Sequence, residues 1–381
     1  MSLRKTVLFV SHKHPPSIGG METHNFHLKV GLEKEFNLIP IVIAPNESRI
    51  SFFWKVRKRM ISVLNQHHTD FVYVNDGLLA IIAGSLKESF PDTQFIATIH
   101  GLEATFPSSF YQQRLLTRLR YYDKLICVSN FTKGVLDKIN VLSGKTYCIL
   151  NGIDHNTYVV SEHEKCLFEE KYSNISGRRI LLSVGRPVKR KGFSWFATEV
   201  LPHLENDPVY IVAGPLPSDE STYKWRKKLL PETLNHLINL AFGYAEDSWS
   251  LRKIENKNLV LTGSVSYPEL NFLIDKCDLF IVPNILVDGD AEGFGLVALE
   301  GAIRGKIVLA ADIQGLKDAI SHHNNGIKIQ SGDALNWIKI CNDLLSKTAS
   351  DHLTSHQIKS YTIDNYSWNK MVKEYIALFK T

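Results

Sequence analysis

The chain has 381 residues, of which 44% are hydrophobic and 22% charged, an ordinary globular composition that excludes disordered and collagen-like classes. Its length exceeds what one hydrophobic core organises, so two domains are expected. The formal charge of +5 favours anionic partners such as nucleotides or phospholipid without choosing among them.

Along the chain, short β-branched or aromatic runs alternate with amphipathic stretches. In the first half "TVLFVS", "LIPIVIA", "FVYVN", "QFIATIH", "KLICVS" and "TYCIL" read as buried strands. The opening "VLFV" is too short for a signal peptide's apolar region, and no run approaches a membrane span, so a cytoplasmic chain is expected. After the first strand, "HKHPPSIGGMETH" offers Gly19 and Gly20 before a helix, where backbone can approach a phosphate or simply turn. The histidines there, His12 and His14, lack a metal-ligand context.

"FFWKVRKRMI", residues 52–61, combines aromatic and basic side chains at helical spacing. It suits either an anionic membrane surface or a solvated helix with one face on the core. "YQQRLLTRLRYYDK", residues 111–124, is a second basic candidate. His100 ends a strand beside Gly101, where an imidazole can donate to a substrate oxygen or serve structure alone. Cys127, Cys148, Cys166, Cys277 and Cys341 are odd in number with no CxxC spacing, which fits a reducing compartment.

A polar stretch over residues 156–178 interrupts the pattern. It resumes with "RILLSVG", "VYIVAG", "NLVLTG", "LFIVP", "KIVLAA" and "GIKI". Two such sets of β-α units predict two doubly wound, mostly parallel domains, with ligands bound beyond the carboxyl ends of strands. In "GRPVKRKG", Gly185 and Gly192 flank Arg186 and Lys191 ahead of a helix beginning near Phe193. That is an anion-binding arrangement, or else a solvated basic loop.

"VDGDAE" carries Asp288 and Asp290 in a DxD pattern, readable as a divalent-ion site or as a polar loop. "EGFGLVALEG" follows. A helix starting near Gly295 places Leu296, Leu299 and Ile303 on one face, with Glu300 about 40° from Leu296. Glu300 thus joins the buried stripe and Glu292 precedes the first turn. The final "YSWNKMVKEYIALFK" places Trp368, Met371, Val372, Tyr375, Ile376 and Phe379 at helical spacing, a closing amphipathic helix.

Together the GG loop, "NGID", "GRPVKRKG", "AGPL", "EGFGLVALE" and the closing helix resemble glycosyltransferase family 4, the retaining nucleotide-sugar transferases of GT-B fold. The resemblance covers nearly the whole chain. It implies two Rossmann-like domains facing an interdomain cleft: an acceptor domain at 1–165, a nucleotide-sugar domain at 166–362, and a helix at 363–381 crossing back to the first. It further implies that Arg186 and Lys191 bind the donor diphosphate and that Glu300 holds the ribose hydroxyls. Glu292 would contact the transferred sugar, and His100 the sugar near the reacting carbon. Gly19, Gly20 and Gly185 would leave room for donor phosphate, with the amides of Gly293, Phe294, Gly295 and Leu296 facing it.

The implied activity is retaining transfer from a nucleoside diphosphate sugar, a UDP-sugar first and GDP-mannose next, with no metal or other cofactor. The acceptor would be a lipid-linked glycan in surface polysaccharide assembly, reached at the inner membrane face through residues 52–61 and 111–124, with no nucleic-acid partner. Two alternatives keep the fold: a nucleotide-sugar epimerase or hydrolase, and a non-catalytic nucleotide-sugar-binding protein. The chain departs from the family's pattern at Gln314, where a glycine is common, and at Asp318, where a glutamate is. The spacer "NILVDGDA" before Glu292 is long.

Overall fold

The computed structural model describes residues 4–14, 19–155, 158–217, 225, 228–346 and 354–381, so Pro15 to Ile18 of the GG loop lie outside the described residues, as do Asn156 and Thr157. The strands are β1 (Thr6–Ser11), β2 (Asn37–Val42), β3 (Phe71–Val74), β4 (Gln94–Ile99), β5 (Lys124–Cys127) and β6 (Thr146–Cys148), then β7 (Ile180–Val184), β8 (Val209–Ala213), β9 (Leu259–Gly263), β10 (Leu279–Val282), β11 (Ile307–Ala311) and β12 (Ile327–Ile329). Each falls on one of the apolar runs read from the sequence. The helices that shape the sites are α1 (Gly20–Leu32), α2 (Arg49–Gln66), α3 (Gly77–Ala83), α4 (Phe193–Glu199), α5 (Leu296–Ile303) and α6 (Trp368–Lys380).

Two compact units result, the first holding residues 1–152, 292–294 and 366–381, the second 153–291 and 295–365. Each contains one six-stranded sheet, and every strand pairing is parallel. The first sheet runs β2-β1-β3-β4-β5-β6 and the second β12-β11-β10-β7-β8-β9. Parallel strands need helices on both faces, which is why inner strands such as β3, β5, β8 and β10 are buried at every residue. The edge strands β2 and β9 stay half-open, and their apolar runs are correspondingly weaker.

Strand order fixes where a ligand can bind. In the second sheet the winding reverses between β7 and β10, and in the first between β1 and β3, so the loops leaving those strands open a crevice at each switch point. The basic loop leaves β7, "NILVDGDAEGFG" leaves β10, the histidine loop leaves β1, and Asn75 to Gly77 leave β3.

The first unit is completed by α6. Trp368, Met371, Tyr375 and Phe379 are buried, a stripe at helical spacing that includes four of the six residues expected to pack, while Val372 and Ile376 are half-buried. Phe379 meets the rings of Phe36, Phe71 and Tyr73, and a side chain at Gly31 would collide with Val372. The Lys124 ammonium donates to the Leu378 carbonyl at 2.7 Å, close to the last residue.

Candidate active site

In the second unit the loop from Gly185 to Gly192 passes from β7 into α4. Gly192 has φ 67°, and a Cβ there would sit 2.1 Å from the Pro283 carbonyl oxygen. Only glycine meets both demands, and the close approach draws the loops after β7 and β10 together. They are laced further by the Ile285 amide donating to the Arg190 carbonyl at 2.9 Å and by an Arg190–Asp290 ion pair at 3.1 Å. Asp290 therefore balances a basic side chain, and its own carbonyl accepts from Gln314 at 3.1 Å. Among the described residues no cluster of three or more metal-ligating side chains exists.

Gln314 itself adopts φ 46°, the left-handed region that glycine takes most easily. Its departure from the family's glycine is accommodated by that side-chain bond across to the Asp290 loop.

The amide at the start of α4 is not free for an anion. Ser194 N donates to the buried carboxylate of Asp247 at 3.0 Å, and the Ser194 hydroxyl does the same. The first turn of that helix is therefore occupied by Asp247, and of the anion site expected for "GRPVKRKG" only the side chains Arg186 and Lys191 remain as candidates. Arg186 is exposed and rests one guanidinium nitrogen on the Gly243 carbonyl at 3.1 Å, leaving most of its donors outward.

From Gly295, in the left-handed conformation at φ 91°, α5 begins on the crevice side of β10. Ala298, Leu299, Ala302 and Ile303 are buried, and Gly301 lies flat on the Phe280 ring. Leu296 and Glu300, expected inside the buried stripe, are half-buried because they lie at its rim. Burial still raises the Glu300 carboxyl above its usual value, with Lys191 acting in the opposite sense. The Glu300 carboxylate has no hydrogen bond to any described residue.

In the first unit, residues 292–294 lie against the turn after β4. A Cβ on Gly293 would fall 1.6 Å from the His100 carbonyl oxygen, and one on Gly101 2.7 Å from the Gly293 Cα. Glu292 is buried there, and Phe294 packs its ring near Tyr366. Gly19 directly precedes α1, with the Glu22 carboxylate folded back over it and Lys13 3.4 Å from that carboxylate. His100 is a neutral imidazole, since burial and the nearby Lys13 lower it to about 4.

Side chains that the sequence reading did not assign complete this crevice. Asp76 caps α3, accepting from Leu79 N at 2.9 Å, and lies 3.7 Å from His12 Nδ1. Glu103 accepts from the amides of Gly77 (3.3 Å) and His100 (3.2 Å). Burial pushes both carboxyls up, Asp76 most clearly because the Glu103 charge adds to it. His12, lowered to about 3 by burial and neighbouring cations, is neutral, and its ring packs on Phe53 of α2. "ND" after an apolar strand and the acid three residues beyond His100 were the available signals.

Helix α2 shows how a basic run divides. Phe52, Val56, Met60 and Leu64 face the core, Arg57 donates to Ile82 O and Ser85, and Arg59 grips Glu47 at 2.7 Å. Left outward are Ile50, Lys55, Lys58 and Trp54, the last 83% exposed. Within residues 111–124, Arg114, Arg118 and Arg120 point outward while Leu116, Leu119 and Tyr122 are buried. No described helix is long and apolar enough to cross a membrane.

The site residues expected from the sequence therefore fall into two groups: Gly19, Gly20, His100, Glu292, Gly293 and Phe294 on the first unit, and Gly185, Arg186, Lys191, Gly295, Leu296 and Glu300 on the second. Comparison with known proteins agrees with this architecture. Residues 167–363 match the family described as glycosyl transferases group 1, and residues 20–157 match glycosyltransferase family 4. The uncharacterized glycosyltransferase MJ1607 of Methanocaldococcus jannaschii is 21% identical over 98% of this chain and 97% of its own. Among solved structures, Anabaena HepE in complex with UDP and glucose superposes with TM-score 0.70 at 16% identity, covering 99% of both chains. Sucrose-phosphate synthase of Thermosynechococcus elongatus gives 0.70 at 17%, over 99% of this chain and 98% of that one. With the group 1 match alone spanning more than half its length, the chain belongs to the group 1 glycosyltransferases and is a sugar-transferring enzyme of GT-B fold.

Proposed function

We propose that the enzyme is a retaining transferase that moves a sugar from a nucleoside diphosphate donor to a hydroxyl of a lipid-linked glycan. The observation that carries the donor assignment is Glu300: a half-buried carboxylate with raised affinity for its proton, no hydrogen bond to a described residue, and Lys191 nearby, at the switch-point crevice of the second sheet. Such an acceptor calls for paired hydroxyl donors, which a ribose diol supplies. A UDP-sugar is favoured, in keeping with the UDP in the HepE structure, with GDP-mannose second.

In this reading Arg186 and Lys191 neutralise charge that builds on the diphosphate as the bond from the anomeric carbon to phosphate oxygen breaks. The amides of Gly295 and Leu296 at the start of α5 add to that field. On the first unit, Glu292 accepts from hydroxyls of the transferred sugar and His100 contacts it near the anomeric carbon. The acceptor oxygen bonds to that carbon on the face the leaving group vacates, and its proton passes to a phosphate oxygen, so configuration is retained. No metal is required, because the basic side chains supply the positive charge.

The lipid-linked acceptor is supported by the outward strip of Ile50, Trp54, Lys55 and Lys58 on α2, the helix whose Phe53 also lines the β1–β3 crevice through His12. In this reading the enzyme is cytoplasmic and works at the inner membrane face, in polysaccharide assembly. The experiment is a screen of UDP-, GDP- and ADP-sugars for binding, followed by transfer to polyprenyl-linked acceptors with the best donor. Binding of one donor, weakened at least about tenfold in Glu300→Ala, is expected. Equal binding by that variant, or donor consumption that ignores the acceptor, overturns the reading.

A further inference from the structure

A continuous run of hydrogen bonds inside the first unit has a direction, and one fixed end determines all of it. The Lys13 carbonyl can only accept. The Asn25 amide reaches it and Ser11 Oγ, so Nδ2 is the Asn25 atom placed there. Asn25 must then turn Oδ1 to Asn75, whose Nδ2 donates to it at 2.6 Å. Oδ1 of Asn75 is left facing the Tyr73 hydroxyl at 2.7 Å and His100 Nε2 at 3.4 Å.

Each hydroxyl has one proton, so the order continues without choice. Tyr73 donates to Asn75, so Thr98, 2.6 Å away, donates to Tyr73. Tyr375 of α6 then donates to Thr98 at 3.0 Å, and His24 Nε2 donates to Tyr375 at 3.4 Å. His24 is neutral, lowered to about 3 by burial, so its Nδ1 has no proton and accepts. The Asn151 amide, whose Oδ1 is placed 2.8 Å from that nitrogen, must present its NH2 instead, the two ends of an amide being alike in shape.

The same logic reaches the candidate sugar contact. His100 is neutral, with a single N–H, and Asn75 meets the ring with its backbone carbonyl and with its side-chain oxygen, the latter facing Nε2 at 3.4 Å and by this chain an acceptor only. We propose that Asn75 is a positioning residue that holds His100 as the Nε2–H tautomer, so that Nδ1 offers the transferred sugar a hydrogen-bond acceptor for one of its hydroxyls. This rests on the reading that His100 contacts the sugar, and it reverses the role of donor that a strand-end histidine suggests.

The test is long-range proton–nitrogen NMR on the full chain labelled with 15N-histidine, resonances being assigned by His100→Ala and His24→Gln. Protonation at Nε2 is expected for both rings in the wild type, which needs no variant to fold. Asn75→Leu should give His100 a mixed tautomer population and lower kcat about tenfold with less effect on nucleotide affinity, while Asn75→Asp, which keeps an acceptor, should restore Nε2–H. A His100 ring protonated at Nδ1, or a population unmoved by Asn75→Leu, overturns the proposal whether or not the enzyme transfers sugar. Nε2–H in the wild type combined with undiminished transfer by His100→Ala removes instead the sugar contact on which it rests, and with it the acceptor role of Nδ1.

Discussion

Arg190 and Asp290 form an ion pair, 3.1 Å from Nε to Oδ1, that clasps the loop after β7 to the loop after β10. Both groups are largely shielded from solvent, so removing one takes this ion pair from the other. Asp290→Ala should lower stability by about 1–3 kcal/mol and weaken donor binding, while EDTA leaves transfer unchanged. Loss of activity in EDTA, restored by a divalent cation, would return Asp290 to the role of metal ligand.

Glu300 separates charge from shape. Glu300→Gln keeps the volume and removes the carboxylate, so nucleotide affinity should fall about tenfold or more. Because the native carboxylate is desolvated without a hydrogen-bonded partner, the same variant should unfold at an equal or higher temperature. Calorimetry in parallel with nucleotide titration checks both, and a variant that is less stable yet binds normally contradicts the assignment.

At Gly293 the requirement is steric. An added methyl would overlap the His100 carbonyl, so Gly293→Ala must displace residues 292–294 or the turn after β4. Transfer should drop about a hundredfold while nucleotide affinity, assigned to the second unit, changes little. Wild-type kcat in this variant would show that the close approach is dispensable.

His24 supplies a pH dependence with a definite sign. Its folded pKa, about 3, lies below the ordinary 6.5, so the unfolded ring binds a proton that the folded one refuses. The stability this gives is complete above about pH 6.5 and is lost as pH falls towards 3. Between pH 7 and 5 the loss is about 2 kcal/mol from this ring alone. His24→Gln should flatten the denaturation free energy over that range by about the same amount. Asp76 runs the opposite way, its carboxyl being raised by burial and by Glu103, so Asp76→Asn should stabilise the fold more at pH 8 than at pH 5.

The proposed membrane contact can be tested at two outward residues of α2. Trp54→Ala combined with Lys58→Glu should reduce co-sedimentation with anionic vesicles at least about tenfold and leave binding of the soluble donor intact. Arg57→Gln and Arg59→Gln, whose guanidinium groups bond within the fold, should affect stability before they affect vesicle binding.

The inner strands were legible because parallel strands are buried on both faces and their apolar runs have no competing explanation, while the edge strands β2 and β9 left weaker runs. Glu300 was legible in part: helical spacing placed it near the buried stripe, yet nothing local shows that no partner reaches it. Asp247 was invisible as the occupant of α4's first turn, since it lies 53 residues from Ser194 in sequence. The division of α2's charges was hidden for the same reason, Arg57 being held by Ile82 and Ser85, partners more than twenty residues on. Asn75 is marked only by its place in "ND" after β3; its importance comes from polar side chains gathered from β3, β4, α1 and α6.

The last of those elements imposes an order on synthesis. The first unit's sheet precedes the second unit in the sequence, but α6, which covers Phe36, Phe71 and Tyr73 and supplies Tyr375 to the polar chain, is translated after it. While the ribosome reads the second unit, that apolar surface has no cover from its own chain. The later-made unit can thus reach its native packing before the earlier one, inverting the usual sequence of domain folding. A stop codon ahead of Trp368 would consequently strike hardest at the unit made first.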